Sequence, residues 1–442
     1  MYNYPDLMPN SAYVKYLFSR DTNILSMVSG SMDKLGDTFC LKFPFNKDKF
    51  IVSKDVGMAE YILKKNQTNY NKSYLSTEGM GLYLGNSINL RNGEDWLRQR
   101  KLMQPSFTKK SIGNLVGLMK EEIYDFMEEV PMDKEVDFYE MMHKLVFRII
   151  IRSLFSSGYE IKELFKISDL LLEAQEMCSK EVTQPYMKWW YGITGKRART
   201  LSNLQVIRDM LNDLIEARIQ SGEKKDDVLS MLLDSKYEDT GESMGRDDLI
   251  SEILFLIIAG HETTANSLSW SISLLSHHQD EREKLIAEIT QLSDKFLDWD
   301  GLLSSSHTMN VINESMRLFP PVWVLDRASI EDDSFGDFSW KGNTTFILYV
   351  YGMHRDEANW DRPNDFIPDR FNRVDLRKKP LYPFGGGPRM CLGNHFSIVE
   401  MILVLRILYK NYDVAMVHDF PKQAPFVTLR PDRVKGVLSP KE

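Results

Sequence analysis

Cysteine is scarce in this sequence of 442 residues, and the three that occur lie far apart. They are Cys40, Cys178 and Cys391, and no Cys-x-x-Cys pair is present. Three isolated cysteines, an odd number, exclude a disulfide framework, a zinc ribbon and an iron–sulfur signature. They fit a reducing compartment, and we therefore expect a cytoplasmic protein.

Excess positive charge and long apolar runs are missing as well. The formal net charge is −8 at pH 7, without the basic footprint of a general nucleic-acid binder, so we expect no nucleic-acid partner. No stretch approaches the roughly 20 apolar residues that a membrane-spanning helix needs, and residues 1–10 are polar and interrupted by proline. We expect neither a signal peptide nor a membrane anchor.

The chain does contain many apolar residues, 43% of the total, and most of them follow a helical spacing. Nearly every segment of residues 95–294 is helical by this pattern, except for a polar stretch at 235–246 that we expect to be a solvated loop. A short helix is expected at residues 12–18. Strand-like segments occur near residues 38–52 and again at 344–351.

These patterns predict a mainly α fold with small β regions. The length allows one large domain or several smaller ones. We predict a single domain over residues 1–442, with a small β-containing N-terminal lobe at about 1–70 and a helical core at about 95–442.

The most informative stretch places Cys391 between a glycine-rich turn and a helical pattern. It runs Phe384-Gly-Gly-Gly-Pro-Arg-Met-Cys391-Leu-Gly393. A sulfur near a helix start lies among unpaired backbone N–H groups, which together with the helix dipole favour the thiolate. A thiolate is a strong ligand for iron, and Arg389 offers a cation two residues away. The residues alone therefore predict an activated or metal-bound cysteine.

A second unusual stretch lies inside a long apolar helical pattern at residues 249–275. Its middle reads Ala259-Gly-His-Glu262-Thr263-Thr. A glycine, an acid and two hydroxyls are costly inside a buried helix. We expect Thr263 to bond back to a carbonyl one turn earlier, and Glu262 to take part in a proton path to a buried centre. An ordinary kinked helix is the alternative.

Four stretches together resemble the cytochrome P450 family. The spacing Phe-x-x-Gly-x-Arg-x-Cys-x-Gly is similar to its haem-ligand loop, and Ala-Gly-x-Glu-Thr-Thr is similar to its oxygen-activating helix. Trp96-x-x-x-Arg100, and Glu314-x-x-Arg317 followed by Arg370, match two further motifs of the family. The matches occur in the family's order, so the resemblance implies the cytochrome P450 fold around a buried haem for the whole chain.

The resemblance also implies roles for individual residues. Haem b would have Cys391 as its axial thiolate ligand and metal site, Thr263 would contact dioxygen, and Glu262 would relay protons. Glu314, Arg317 and Arg370 would form a structural network beneath the cysteine loop. The implied haem contacts are Trp96, Arg100, Ala259, Arg327, Phe384, Arg389 and Gly393.

The implied reaction inserts one oxygen atom of O2 into a C–H bond of a small organic substrate. No flavin or ferredoxin module is fused to the chain, so electrons derived from NAD(P)H would come from a separate ferredoxin or flavodoxin with its reductase. A basic set flanks the expected thiolate side and suggests docking of an acidic partner. It consists of Arg98, Lys101, Lys109, Lys110, Arg377, Lys378 and Lys379.

The substrate is left open by the residues. Family analogy assigns Tyr83, Val322, Trp323 and Phe426 to the pocket, and also the segment that contains Trp189 and Trp190. Aromatic walls suit an apolar ligand or a sugar ring, and Asp326 leaves room for a hydroxylated one. Hydroxylation of an apolar chain or terpenoid and oxidative O-demethylation, for example of a methoxylated sugar, both remain possible. The alternative function is a haem-thiolate binding or sensing protein, or an isomerase that needs no external electrons.

Overall fold

A computed structural model describes residues 2–9, 23–42, 49–156, 161–183, 187–292, 297, 299–304, 306–373 and 379–441. The helix expected at residues 12–18 lies outside these ranges. Two members of the basic set, Arg377 and Lys378, also lie outside them.

Helices make up most of the described chain, as the apolar spacing predicts. The helices are α1 Ile24–Leu35, α2 Val56–Glu60, α3 Tyr74–Leu84, α4 Gly93–Met103, α5 Lys109–Glu129, α6 Phe138–Phe155, α7 Ile161–Thr183, α8 Lys188–Ile193, α9 Lys196–Ser221, α10 Val228–Asp234, α11 Arg246–His277, α12 Gln279–Leu292, α13 Trp299–Leu303, α14 Ser306–Leu318, α15 Val350–Met353 and α16 Asn394–Asn411. The mainly α fold class is confirmed.

The strands are short and form small sheets. They are β1 Thr38–Leu41, β2 Phe50–Ser53, β3 Tyr70–Asn71, β4 Glu135–Asp137, β5 Leu325–Ser329, β6 Asp333–Phe335, β7 Phe338–Trp340, β8 Thr345–Leu348, β9 Tyr412–Met416, β10 Gln423–Pro425, β11 Leu429–Pro431 and β12 Lys435–Pro440. The largest sheet has the order β1-β2-β8-β5-β3, in which β2 and β8 run parallel. The N-terminal strands thus pair with strands from the second half of the chain. The predicted limits of the N-terminal lobe and the helical core stay predictions.

Helix α11 lies in the middle of the core. Buried side chains occur on all of its faces, and they include polar ones such as Glu252, Asn266 and Ser269. It packs against α6, α14 and α16, and its Trp270 stacks on Phe319 with ring centroids 3.9 Å apart. The segment that carries Glu262 and Thr263 is therefore held from several sides.

The polar stretch at 235–246 is a mostly exposed loop between α10 and α11, as expected, although two of its side chains, Tyr237 and Met244, are buried. Tyr237 is only 7% exposed, and its hydroxyl donates to Gln99 Oε1 at 2.8 Å. The guanidinium of Arg98 stands 3.7 Å from the centre of the Tyr237 ring. Tyr237 and the buried Met244, which also contacts Gln99, together dock the segment onto α4.

Candidate active site

The cysteine loop is a tight turn just before α16. The Cys391 backbone N–H donates to the Phe384 carbonyl at 2.8 Å, and α16 begins at Asn394. Gly385 and Gly387 have φ of +73° and +69°, a region that favours glycine. The predicted placement of Cys391 between a glycine turn and a helix is present in the structure.

Gly387 serves a close approach between two parts of the backbone. A Cβ atom at this position would lie 1.8 Å from the carbonyl oxygen of Leu63, in the turn that follows α2. The lack of a side chain at Gly387 therefore lets the loop pack directly on the N-terminal part of the chain.

We expect Gly387→Ala to lower the free energy of unfolding by more than the strain of a positive φ alone, which costs about 1–2 kcal/mol. The added methyl group would collide with backbone, which can yield only by moving the loop. Chemical denaturation measures the loss. Gly241→Ala is the matched control, because Gly241 has φ of +70° and a Cβ atom at that position would meet no heavy atom within 4 Å. Equal losses in the two variants would contradict the clash.

The Cys391 thiol faces a cavity while protein surrounds it on its other sides. Burial raises the pKa of this thiol, whereas the Gly393 backbone N–H and the Arg100 guanidinium lower it. Arg100 Nη1 also donates to the Met390 carbonyl at 2.9 Å. The cation beside the sulfur is therefore Arg100, and not Arg389 as the sequence suggested.

Arg389 lies on the other side of its loop, against α4 and the residues before it. Its Nη2 donates to the Arg91 carbonyl at 2.9 Å and to Asn92 Oδ1 at 3.0 Å. Its guanidinium also covers the Trp96 ring at 4.5 Å from the centroid. Trp96 and Arg389 thus form one unit on the cavity wall.

The acid and the alcohol of α11 occupy neighbouring positions. Thr263 Oγ1 donates to the Ala259 carbonyl at 2.7 Å, the backward bond that the sequence predicts. Glu262 is only 4% exposed. Burial raises the pKa of its carboxyl group, while the Thr428 hydroxyl and Arg430 lower it. The helix is nevertheless continuous from Arg246 to His277.

Gly260 explains how α11 can pack so closely at this point. A Cβ atom there would lie 2.9 Å from Ile150 Cδ1 on α6. The next residue, His261, is buried, and its Nε2 makes a 2.9 Å hydrogen bond to the His143 carbonyl. Burial lowers the pKa of His261 to about 3, so the imidazole is neutral at pH 7. Gly260 and His261 therefore serve packing between the two helices.

One cavity of about 590 Å³ is bordered by most of the residues that the sequence assigns to the site. Its wall is mainly apolar. The site residues on it are Tyr83, Trp96, Arg100, Ala259, Glu262, Thr263, Val322, Trp323, Arg327, Phe384, Arg389, Cys391, Gly393 and Phe426. Residues that lie 300 positions apart in sequence thus share one surface, and their individual roles stay predictions.

Cations outnumber acids on part of this wall. Burial lowers the pKa of Arg327, and burial together with Arg327 lowers the pKa of Arg389 to about 10. Burial also lowers the pKa of Lys72, with Arg327 and Arg389 adding to the effect. Against these three cations stands one carboxylate, Asp326, which leaves two positive charges in excess.

That excess fits a ligand with two carboxylates. Arginine binds a carboxylate through two parallel N–H groups, and bringing a dianion to this wall would relieve the mutual repulsion of the three cations. Haem carries two such groups, so the residues present fit it. The chemistry of the set is thus compatible with a haem whose carboxylates meet Lys72, Arg327 and Arg389.

Asp326 does not offer a free acceptor to a substrate, which corrects the sequence interpretation. It accepts hydrogen bonds from the backbone and hydroxyl of Ser73, at 2.8 and 2.6 Å, and from the Ser76 hydroxyl at 2.6 Å. Burial would raise its pKa, but Lys72 and these serines outweigh burial and hold it at about 2. Asp326 is a structural anchor for the start of α3.

The aromatic residues assigned to the substrate pocket divide into two groups. Trp323 Nε1 donates to the Phe426 carbonyl at 3.0 Å, and both side chains border the cavity. Trp189 and Trp190 do not border it, and they are 63% and 44% exposed. Their assignment to the pocket was wrong, because α8 turns these two side chains outward.

The described members of the basic set are partly neutralised by acids. Arg98 pairs with Asp239 at 2.8 Å, and Lys101 pairs with Glu238 at 3.2 Å. Lys109 and Lys110 are exposed. The Lys109 charge lowers the pKa of His395, after burial as the first cause, so Lys109 lies beside the start of α16.

Sequence reasoning missed Lys72 and Thr428 as site residues. Lys72 precedes α3 and belongs to no motif, and its position on the wall follows only from the pairing of β3 with β5. Thr428 lies in the turn between β10 and β11, where nothing in the local sequence marks it. Both reach the site through contacts between distant segments, so no local signal could have found them.

A cysteine loop, an acid–alcohol pair and a cluster of buried cations around one apolar cavity define the class of haem-thiolate oxygenases. Comparison with known proteins agrees. The sequence profile of the family described as Cytochrome P450 matches residues 5–435. The chain therefore belongs to the cytochrome P450 family, whose members hold haem through a cysteine thiolate, use O2 and generally depend on a redox partner. It is a cytochrome P450 monooxygenase.

Several curated proteins are similar to this chain. Protein LUTEIN DEFICIENT 5, chloroplastic, of Arabidopsis thaliana is 26% identical over 84% of this chain and 66% of its own length. A cytokinin hydroxylase of the same plant is 28% identical over 85% of this chain and 75% of its own length. Cyclooctat-9-en-7-ol 5-monooxygenase of Streptomyces melanosporofaciens is 26% identical over 74% and 72%. The chain thus spans about two thirds to three quarters of the length of these relatives.

No helix among the described residues is both long and apolar enough to cross a lipid bilayer.

Proposed function

We propose that this protein hydroxylates a small, mainly apolar organic substrate, with haem held by Cys391. The observation that carries the proposal is the single cavity that Cys391, the buried cations and the acid–alcohol pair all border. Haem, when bound, supplies the activation of O2: one oxygen atom enters a C–H bond, the other leaves as water, and two electrons and two protons are consumed.

The protein's part begins with holding the cofactor. Arg327, Arg389 and Lys72 would bind the two haem carboxylates, and the two excess charges on the wall support this. Trp96 would contribute its indole N–H and its ring. Arg100 lies beside the Cys391 sulfur, where its charge favours the thiolate. The other proposed contacts to the ring are Ala259, Phe384 and Gly393.

Proton supply is the proposed role of Glu262 and Thr263. Burial raises the pKa of the Glu262 carboxyl group. A raised pKa lies closer to the pH at which the enzyme works, and proton transfer is most efficient when the two are close. The Thr263 hydroxyl borders the cavity and can turn its proton from the Ala259 carbonyl toward an acceptor inside it. The pair therefore links a buried acid to the reacting space while the apolar wall excludes bulk water.

The mainly apolar wall favours hydroxylation of an apolar substrate. Asp326, an acid on the cavity wall, is already bonded to Ser73 and Ser76 and offers no free acceptor to a polar substrate. The names of two relatives, a cytokinin hydroxylase and a cyclooctat-9-en-7-ol 5-monooxygenase, also support hydroxylation. A terpenoid-like hydrocarbon frame with few polar groups is the substrate class that we propose.

The test begins with a screen of terpenoids, alkyl chains and methoxylated sugars for a low-to-high-spin shift of the haem absorption. Compounds that bind are then incubated with O2 and an electron donor, and the products are analysed. A product with one added oxygen atom and no formaldehyde is the expected result. Formaldehyde in equal amount with the product would establish oxidative O-demethylation. Rearranged product without an electron donor would establish an isomerase.

We further propose that the electrons come from a ferredoxin or a flavodoxin, itself reduced by an NAD(P)H-dependent reductase. Lys109 and Lys110 form an exposed positive patch beside the start of α16, close to the cysteine loop. A patch of this kind speeds the approach of an acidic carrier. A cytoplasmic location also stays a prediction, which rests on the three isolated cysteines.

Reversing both charges, in Lys109→Glu with Lys110→Glu, is expected to lower the second-order rate of reduction about tenfold at low salt. The substrate-induced spin shift should stay unchanged, because neither lysine borders the cavity. Stopped-flow reduction by the carrier measures the rate. Lys120→Glu is the matched control on the same helix, about 15 Å further along its axis. An equal slowing by Lys120→Glu would contradict a local docking site.

A further inference from the structure

Glu262 stands at the end of a row of buried polar side chains. His143 Nε2 lies 3.4 Å from Asn266 Oδ1, and Asn266 Nδ2 donates to Thr428 Oγ1 at 2.9 Å. The Thr428 hydroxyl in turn lies near the Glu262 carboxyl group and lowers its pKa. All four residues are less than 10% exposed, at 7% for His143, 0% for Asn266, 5% for Thr428 and 4% for Glu262.

The donors in this row all point the same way. Burial lowers the pKa of His143 to about 4, so the ring is neutral at pH 7 and carries one N–H. His143 Nδ1 has no partner among the described residues, which leaves that N–H on Nε2, toward Asn266. Asn266 then donates its amide to Thr428 Oγ1. Because Thr428 Oγ1 accepts from Asn266, the Thr428 proton is left to turn toward the nearby Glu262 carboxyl group.

The two residues next to Glu262 come from separate parts of the chain. Asn266 lies one turn beyond Glu262 on α11, so both side chains share a face of that helix. Thr428 belongs to the turn 426–428 between β10 and β11. The Leu429 N–H donates to the Pro321 carbonyl at 2.9 Å, and Trp270 Nε1 donates to the Leu429 carbonyl at 3.2 Å. These bonds hold the turn at a fixed place against α11.

We propose that Thr428, itself oriented by Asn266, is a positioning residue that holds the Glu262 carboxylate for proton transfer into the cavity. The proposal rests on the proposed function. With Glu262 held, the two electrons and two protons delivered per O2 yield product and water. With Glu262 free to turn away, a larger share of O2 takes up two electrons and two protons and leaves as hydrogen peroxide.

Other charged and titratable groups also face Glu262. Arg430, in β11, lowers the pKa of Glu262, and Glu176, in α7, raises it. Arg430 stands 4.0 Å from Glu176 and covers the Phe426 ring at 3.8 Å. Burial raises the pKa of Tyr139, in α6, and the charge of Glu262 adds to this rise. None of these groups changes when the Thr428 hydroxyl is removed, so a substitution at Thr428 isolates the effect of that hydroxyl on Glu262.

The test compares Thr428→Val, which keeps the side-chain shape without the hydroxyl, with Thr428→Ser, which keeps the hydroxyl. Thr428→Val is expected to raise hydrogen peroxide per O2 consumed and to lower product per electron pair about tenfold, less than the loss of an acid–base group itself. Thr428→Ser should restore wild-type coupling. Ser269→Ala is the matched control on α11, because the Ser269 hydroxyl bonds, within the part of the chain that the structure describes, to the Ala265 carbonyl alone.

A second readout does not depend on turnover. The infrared C=O stretch of the Glu262 carboxylic acid, assigned by its loss in Glu262→Gln, reports ionisation of this group in the holoenzyme. The Thr428 hydroxyl lowers the pKa of Glu262, so its removal should move this titration, and the acid side of the rate profile, to higher pH. Asn266→Ala should move the infrared titration and the rate profile in the same direction. This variant replaces Thr428→Val in the test if Thr428→Val does not fold.

The outcomes separate this proposal from the proposed function. Wild-type peroxide yield and an unmoved infrared titration in Thr428→Val would overturn the positioning role, even if the protein proves to be a hydroxylase. An infrared shift in a protein that turns over no substrate would support the contact between Thr428 and Glu262 but contradict the proposed function. A loss that Thr428→Ser fails to rescue would assign Thr428 to packing alone.

Discussion

Replacing Cys391 by serine removes the thiolate-type absorption shift that the reduced, haem-loaded protein gives with carbon monoxide, and it removes monooxygenase activity. A serine hydroxyl stays protonated where a cysteine thiolate forms, and it is a far weaker ligand for iron. The loop itself should persist, because its 2.8 Å bond to the Phe384 carbonyl comes from the Cys391 backbone and not from the sulfur.

The matched control is Cys40→Ser, which makes the same chemical change at a cysteine in β1. Cys40 is 1% exposed, and burial raises the pKa of its thiol to about 11, so it stays protonated at pH 7. This variant should keep the carbon monoxide spectrum and activity per folded molecule, with a lower melting temperature. Circular dichroism shows whether each variant is folded. Full activity in folded Cys391→Ser would overturn the assignment of the ligand.

Replacing Arg317 by methionine should lower the free energy of unfolding by about 3–5 kcal/mol, because it strands a buried carboxylate. Arg317 and Glu314 are both 0% exposed and form two bonds, at 2.7 and 2.8 Å. Arg370 holds the same carboxylate through a 2.9 Å bond to Glu314 Oε1. One cation would then remain for an acid that has no access to water.

The loss should extend to haem retention. Arg317 Nη1 donates to the carbonyls of His354 and Pro363, each at 2.7 Å. His354 Nε2 accepts from the Tyr382 backbone N–H at 2.8 Å, just before the cysteine loop. The network therefore reaches the loop through His354, and a shifted His354 would loosen Tyr382.

Urea unfolding measures the stability of Arg317→Met, and haem content per protein measures the second effect. The control is Arg199→Met, which makes the same change at a residue that is 76% exposed and 4.0 Å from Glu173. Exposed pairs contribute about 0–1 kcal/mol, so this control should be close to the wild type. A similar small loss in both variants would contradict a structural role for the Glu314 network.

Local patterns predicted the helices and most of the chemistry. The long apolar pattern at residues 249–275 predicted α11 almost to its ends, since an apolar stretch of that length favours a buried helix over a strand. Thr263 bonds back to Ala259 as predicted, because that bond lies within one turn. The Glu314–Arg317 pair is also local, at three residues apart on α14.

Contacts between distant segments escaped the local patterns. The sequence suggests that Asp326 is a free polar residue, but Ser73 and Ser76 occupy it. It also suggests that Trp189 and Trp190 are pocket aromatics, yet their exposure shows that they face solvent. In both cases the type of residue is compatible with several environments, and only the packing of other segments selects one.

The sequence by itself determined the class of this protein. The spacing around Cys391 and around Thr263 is a property of single turns and single helices, which short-range geometry controls. The tertiary structure decided the rest: that Arg100 and not Arg389 stands beside the sulfur, that Lys72 joins the cations on the cavity wall, and that Thr428 meets Glu262. Each of these contacts depends on how segments far apart in the chain pack against one another. The free energy that determines this packing is distributed over the whole core, so no local pattern reports it.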